Sequence, residues 1–388
     1  MGNVSQRGPT VEAACQPRQG FMACTRDCFA ARLWVTFFTG VIALEPPPPP
    51  RRVTIVDVAR HANVSTTAVS KVLRNAYGAS PAMRDKVRQA MAELGYRPHA
   101  AARGMRGQTY TLGVMIPDIR NPFFADVLDG FTEHLRNTEY QVFIARGSNG
   151  QEAEAGVTDA MIDRSMDGVV LIAPISSRSQ LEHVARSVPT VIVGRHGYSP
   201  AYDSVADDDS AGAALVVHHL ADLGHRRIAH IDHYETDPTR LVEMPNAIRA
   251  EGYRQAMRAR GLADDIDVVS TSYTQQGGYQ GAQELLAREI RPTAIFAGAD
   301  FVAMGVLQAI AEAGLKVPDD ISVAGYDNTT FAAFEPISLT SVDQAGRQIG
   351  ANAARLLLER IVDRRAPSTQ IKLAPRLIVR RTTAPPSD

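Results

Sequence analysis

From Thr111 to Tyr326 the chain alternates short strand-like apolar runs with longer helical ones, and no other feature limits its fold so sharply. Apolar runs at 111–117, 141–145, 168–173, 190–193, 227–233, 294–297 and 321–326 are separated by amphipathic stretches at 121–138, 151–164, 179–186, 209–223, 247–260, 277–288 and 301–313. Strands divided by helices return in the same direction, so the pattern predicts parallel sheets covered by helices. About 280 residues of it, from 108 onward, exceed one core and predict two doubly wound lobes. A late helix at 343–364 would return to the first lobe. Ligands of such folds sit at the carboxyl ends of the strands, in the crevice between halves.

Charge is divided unevenly along this frame. The net charge is −1, yet residues 51–107 hold 11 Lys/Arg against 3 Asp/Glu, a local +8. Residues 1–50 carry 4 Lys/Arg and 3 Asp/Glu, which leaves −10 for 108–388. A basic module on an acidic body points to a polyanion partner for the module; a solvated basic surface is the plainer alternative. Composition is that of a soluble globular chain, 45% hydrophobic and 21% charged. All three cysteines (Cys15, Cys24, Cys28) and the only tryptophan (Trp34) lie in the first fifty residues, so the body needs neither disulfides nor thiol chemistry. The run LWVTFFTGVIAL at 33–44 has twelve residues, short of the ~20 of a membrane span. It resembles the apolar core of a signal peptide, with Arg32 before it. The favoured reading is that translation starts near Val53 and that 1–50 is a disordered extension or a start-site artefact. Five prolines at 46–50 mark the boundary.

The basic module opens with TIVDVARHANVSTTAVSKVL. Thr54 can cap a helix, and Asp57 favours its positive end. Ile55, Val58, Ala59 and Ala62 share one face. Asn63 sits at the break, where a left-handed residue is expected. Ser65 caps a second helix whose Ala68, Val69, Val72 and Leu73 face inward. Its Thr66, Thr67, Ser70, Lys71 and Arg74 fall on the other face. Two short helices around a tight turn form a helix-turn-helix, the second helix shaped for a major groove. An unrelated helical hairpin with a polar surface is the alternative. Ser80-Pro81 starts a third helix with Val87, Ala90, Met91 and Leu94 as its buried stripe, and Gly95 ends it. The basic, alanine-rich stretch that follows is too short to hold a helix alone in water and should order against a partner.

VTIVDVARHANVSTTAVSKVL and KVRQAMAELGYRPHAAARGM resemble the DNA-binding headpiece and hinge of the LacI/GalR family of bacterial transcription regulators, over residues 53–107. The resemblance implies an all-α headpiece at 51–97, a hinge helix at 98–107, and a periplasmic-binding-protein-like α/β core at 108–388. Its N-subdomain would cover 108–206 and 337–366, and its C-subdomain 207–336 and 367–388. It also implies a homodimer on pseudopalindromic double-stranded operator DNA, with paired hinges in the minor groove. Thr66, Thr67 and Lys71 then occupy base-reading positions, while Ser65, Ser70, Arg74 and Arg103 grip the backbone. Where the family usually wedges a leucine between base pairs, this chain has Met105, apolar and flexible enough to wedge. Gly104 beside it lowers helix propensity.

The same resemblance implies which residues bind an effector. Phe123 and Phe124 of NPFF enclose it, Arg249 of NAIRAEGY grips it, and Asp300 of AGADFVAMG accepts from it. Arg195 follows VIVG, with Gly194 where relatives often have an aspartate. Tyr273, and Asp327 of GYDN, are further candidates. Such a set suits a sugar or another small polar metabolite. The irregular, acidic HYETDPTRLVEMP at 233–245 is expected to govern ligand identity. No GxSxG, Walker A, GxGxxG or HExxH motif occurs, so no catalytic residue, cofactor or enzymatic activity is expected. His218, His219 and His225, and the run Asp207-Asp208-Asp209, point to different helix faces and predict no metal site. The reading is a cytoplasmic, sequence-specific DNA-binding regulator, a repressor controlled allosterically by a small polar effector. The alternative is an exported sugar-binding receptor of a transport system, which has the same two lobes but no use for the headpiece.

Overall fold

The computed structural model describes residues 53–73, 77–96, 108–147, 150–233 and 243–387. The segment 1–50, Arg74 and the hinge at 98–107, with Arg103 and Met105, lie outside the described residues.

Three helices begin the described chain: α1 (Ile55–His61), α2 (Thr66–Leu73) and α3 (Pro81–Glu93). Their centre is small and apolar, with Val58, Ala59, Val69, Val87 and Ala90 buried. The reversal between α1 and α2 occurs at Asn63, which is left-handed with φ 51°. Ser65 then caps α2, its Oγ accepting from the Ala68 N–H at 3.1 Å. Ser80 does the same for α3, accepting from the Met83 N–H at 3.3 Å, with Pro81 in the first turn. Gly95, at φ 62°, closes α3.

The first lobe runs through β1 (Thr111–Ile116), α4 (Pro122–His134), β2 (Gln141–Arg146), α5 (Gln151–Asp163), β3 (Gly168–Ile172), α6 (Arg178–Ser187), β4 (Thr190–Val193) and β5 (Asp203–Asp207). The chain then crosses to the second lobe. There it forms α7 (Asp209–Asp222), β6 (Ile228–His233), α8 (Pro245–Ala259), β7 (Asp267–Thr271), α9 (Gln275–Leu286), β8 (Ala294–Ala297), α10 (Asp300–Glu312), β9 (Ser322–Tyr326), α11 (Thr330–Ala333) and β10 (Thr340–Asp343). It returns for α12 (Gly346–Ile361) and β11 (Gln370–Leu373), and crosses a last time to β12 (Arg376–Ile378). The sheets have strand orders β11-β5-β4-β3-β1-β2 and β12-β10-β9-β8-β6-β7. All pairs are parallel except β10 with β12.

The crossovers correct the expected subdomain limits. The sequence reading returns the chain to the first lobe at 337 and leaves it again at 367. Instead Thr340–Asp343 pairs with β9 and β12 in the second sheet, and Gln370–Leu373 pairs with β5 in the first. The crossovers therefore fall after Asp207, Asp343 and Leu373. Both misplaced strands are four residues long and at least half polar, too brief for their pattern to separate them from loop.

Each lobe closes around its sheet. Leu112, Val114, Val170 and Val191 pack under Phe131, Ile349 and Leu357 in the first. Ile231, Ile295 and Val323 pack under Leu285 and Val302 in the second. In the first lobe α4 and α12 approach closely. A Cβ on Gly350 would run into the Val127 carbonyl, and one on Gly130 into that of Arg347. Gly350→Ala is therefore expected to cost about 1–3 kcal/mol by overpacking, read as a lower melting temperature. An unchanged melt would mean the two helices can part without loss.

Candidate DNA-reading helix and interlobe cavity

The side chains of α2 divide in part as the spacing predicts, with Ala68, Val72 and Leu73 half-buried beside Val69. Val69 is buried, Thr66, Thr67 and Lys71 are exposed, and Ser70 is half-buried. Ser65 is exposed at the helix start, where its hydroxyl already accepts from Ala68. Hydroxyls and an ammonium on one rigid helical face can donate to and accept from base edges and phosphates.

A cavity of about 220 Å³ opens between the lobes at the carboxyl ends of the central strands. Phe123 and Phe124, at the start of α4, line its first-lobe wall with ring centroids 5.7 Å apart and planes at 62°. Asn121 places them, since its Oδ1 caps α4 by accepting from the Phe123 N–H at 3.0 Å. Ile172, Val193 and Ile349 continue this wall. Arg249, Tyr273 and Asp327 face it from the second lobe, so five of the seven predicted effector residues meet in one place.

Arg249 is the hub of the second-lobe side. It is 4% exposed, donates to Asp209 Oδ1 from Nη2 at 2.5 Å and from Nε at 3.0 Å, and reaches the Gly298 carbonyl. Its guanidinium lies 3.5 Å over the Tyr326 ring, a cation–π contact. The three consecutive aspartates divide among separate tasks. Asp207 accepts from Tyr326 Oη at 2.6 Å. Asp208 caps α7 through the Ala211 N–H at 3.1 Å and pairs with Lys372 at 2.7 Å. Asp209 takes Arg249 and, at 2.7 Å, His196 Nε2. Burial and the neighbouring Asp209 carboxylate push the Asp207 carboxyl up to about 7. His225 bridges Thr293 Oγ1 and the Ala384 carbonyl at 2.9 and 2.8 Å. Among the described residues no group of three or more His, Cys, Asp or Glu side chains is placed to hold a metal ion.

Arg195 and Asp300 are not brought to the cavity, which corrects the sequence reading. Arg195 turns back to Glu243 at 2.8 Å and to the carbonyls of Pro174 and Ser176. Asp300 is 1% exposed, accepting from Thr329 N–H and Oγ1 at 2.7 and 2.9 Å and from Ser341 Oγ at 2.6 Å. With three donors in place it serves as a fastener of the β9–α11 turn. Sequence reasoning missed Asp118, Asp207, His233, Met244, Asn246 and Gln344 at the cavity. The irregular stretch 233–245 held one signal, since His233 and Met244 lie at its ends. Two buried polar atoms in this site, Tyr273 Oη and Asp327 Oδ2, have no hydrogen-bond partner among the described residues. Burial, followed by the nearby Asp300, holds the Asp327 carboxyl well above its ordinary range.

Comparison with known proteins agrees with this geometry. Residues 54–99 match the family model of bacterial regulatory proteins of the lacI family, and residues 217–383 match that of the periplasmic binding protein-like domain. Catabolite control protein A of Priestia megaterium is 33% identical over 334 residues, 85% of this chain and 99% of its own. A LacI family transcriptional regulator from Enterococcus faecium, solved with bound ribose, is 28% identical with a TM-score of 0.63, over 71% of this chain and 100% of its own. The lac repressor dimer, solved bound to operator and the anti-inducer ONPF, is 25% identical with a TM-score of 0.71, over 86% of this chain and 100% of its own. No helix among the described residues is long and apolar enough to cross a membrane. With a capped helix-turn-helix, a two-lobed core and a relative one-third identical along nearly its whole length, the chain belongs to the lacI family of bacterial regulatory proteins.

Proposed function

We propose that this chain is a cytoplasmic transcriptional repressor that reads a pseudopalindromic operator as a homodimer and changes its grip when a small hydroxyl-bearing molecule fills the interlobe cavity. One observation carries the reading. A single chain joins an exposed polar recognition helix to a cavity with two buried polar atoms that have no partner among the described residues. Thr66, Thr67 and Lys71 read bases, Ser65, Ser70, Arg74 and Arg103 hold the backbone, and Met105 wedges the central step. Phe123, Phe124, Arg249, Tyr273 and Asp327 surround the effector, with Arg195 and Asp300 bracing the walls. Operator and effector must change each other's affinity by the same factor. The exported-receptor alternative leaves the packed and capped headpiece without a task.

Selection of bound sites from random duplex DNA at two salt concentrations tests the reading. The expected product is a palindrome with a fixed central step. In a Thr66→Ala/Thr67→Ala variant, discrimination should fall by about 1–3 kcal/mol for each base pair those residues read, with folding unchanged because both are exposed. Salt-sensitive binding with no sequence preference would sink the operator reading.

A further inference from the structure

We propose that the interlobe cavity takes an uncharged amphipathic molecule, a single ring with an apolar body and one or two hydroxyl donors at one end. A polyhydroxylated ring and an anion are both poor fits. This rests on the reading of the cavity as the effector site and narrows its ligand class.

The argument starts from the first-lobe wall. Phe123, Phe124, Ile172, Ile175, Val193 and Ile349 make it a continuous apolar surface. Gly194, at the end of β4, contributes no side chain to it. The polar groups on that side are partly engaged. Asn121 Oδ1 caps α4, Asp207 accepts from Tyr326, and Asp118 is held by Arg120 at 2.6 Å. A ring hydroxyl pressed against the apolar side chains of this wall would lose water without gaining a partner. An aromatic or alicyclic face would lose nothing there, and the tilted Phe123–Phe124 pair offers ring edges and faces to it.

The opposite end has the reverse character. Tyr273 Oη and Asp327 Oδ2 are buried without partners among the described residues, and Asp327 is 6% exposed. Its other oxygen is satisfied by Gln344 Nε2 at 2.6 Å. A donor on the ligand completes Oδ2. An anion finds no welcome, because the cavity already resists a negative charge on its own lining: burial raises the carboxyls of Asp207 and Asp327 above their ordinary range. The Arg249 guanidinium is occupied by Asp209, the Gly298 carbonyl and Tyr326. The volume of about 220 Å³ exceeds the roughly 150 Å³ of an engineered core cavity that binds benzene, which suits one substituted ring.

Calorimetric titration of the full chain with benzyl alcohol, ribose and benzoate tests the proposal. Benzyl alcohol should bind saturably and at least about tenfold more tightly than ribose, because its ring buries apolar surface that ribose lacks. Benzoate, matched in ring but charged, should not bind. Phe124→Ala, at a half-buried position, should weaken benzyl alcohol about tenfold with little change in melting temperature. Ribose binding more tightly, benzoate binding equally, or benzyl alcohol that fails to saturate or ignores Phe124→Ala would each overturn it. Operator affinity measured on the same samples separates the two claims. Ribose that binds and shifts operator affinity keeps the effector site and removes this ligand class. Benzyl alcohol that binds in the Phe124-dependent way without moving operator affinity keeps the ligand class and removes the effector role.

Discussion

Replacing Arg249 with methionine is expected to destabilise the chain by about 3–5 kcal/mol, since it leaves Asp209 charged and buried without its main counter-ion. Asp209 is fully buried, and Arg249 supplies two of its hydrogen bonds, at 2.5 and 3.0 Å. Methionine fills much of the stem volume, so the loss reports the charge and its hydrogen bonds more than a cavity. The same substitution frees the Gly298 carbonyl and uncovers the Tyr326 ring. All these partners lie in the second lobe beside its first crossover, so the effect should appear as early unfolding of that lobe in a thermal melt. His196 remains against Asp209 at 2.7 Å and limits the damage. The double variant Arg249→Met/Asp209→Asn should lose less than the two single losses combined, because the pair is in direct contact. A methionine variant that melts with the parent would show that the pair holds nothing together.

Legibility in the sequence followed the range of the forces involved. Asn63, Ser65, Ser80-Pro81 and Asn121-Pro122 act within a few residues, and each behaves as its local chemistry predicts. All seven apolar runs became strands; in six of them burial on both faces selects unbroken apolar sequence, while the edge strand β2 leaves Phe143 and Ile144 exposed. The strand β5, DSVAD, escaped notice because it begins and ends in aspartate. Its place beside β4 depends on charges far along the chain. Asp203 is fully buried, yet Arg365, Arg360 and the Thr369 N–H reach it at 2.7, 2.7 and 2.6 Å. Burial alone would raise its carboxyl, but these donors hold it below the ordinary range. No reading of neighbours along the chain reveals such a partner. The cavity divides in the same way. Phe123 and Phe124 were legible because their own helix start aims them. Asp300 was misjudged because Thr329 and Ser341 satisfy it from other strands and turns. Arg195 was misjudged because Glu243 draws it aside.

Asp207→Asn is expected to stabilise the chain at pH 8 and to leave it nearly unchanged at pH 4. The Asp207 carboxyl is raised from 3.8 to about 7, so the folded state favours the neutral acid. The stability this group supplies is complete below about pH 4 and is lost as pH climbs from there to about 7. Above 7 both folded and unfolded chains carry the charge, and the difference stays constant. A rise from 3.8 to about 7 corresponds to roughly 4 kcal/mol, an upper figure because Arg249 and His196 stand near enough to respond. Asparagine removes the titration while its carbonyl can still accept from Tyr326 Oη, the bond at 2.6 Å that joins the end of β5 to β9 across the lobes. Urea unfolding of parent and variant, compared at each pH, cancels every other titrating group. The gap between the two should therefore open between about pH 4 and 7 and then hold level. A gap that is the same at every pH would mean that the Asp207 charge is accommodated in the fold, and that the burial at the first crossover is no obstacle to ionisation. The expected curve instead makes the crossover a place where a proton is held at the edge of the cavity, so that any ligand hydrogen-bonding there meets an acid group that is largely neutral below pH 7.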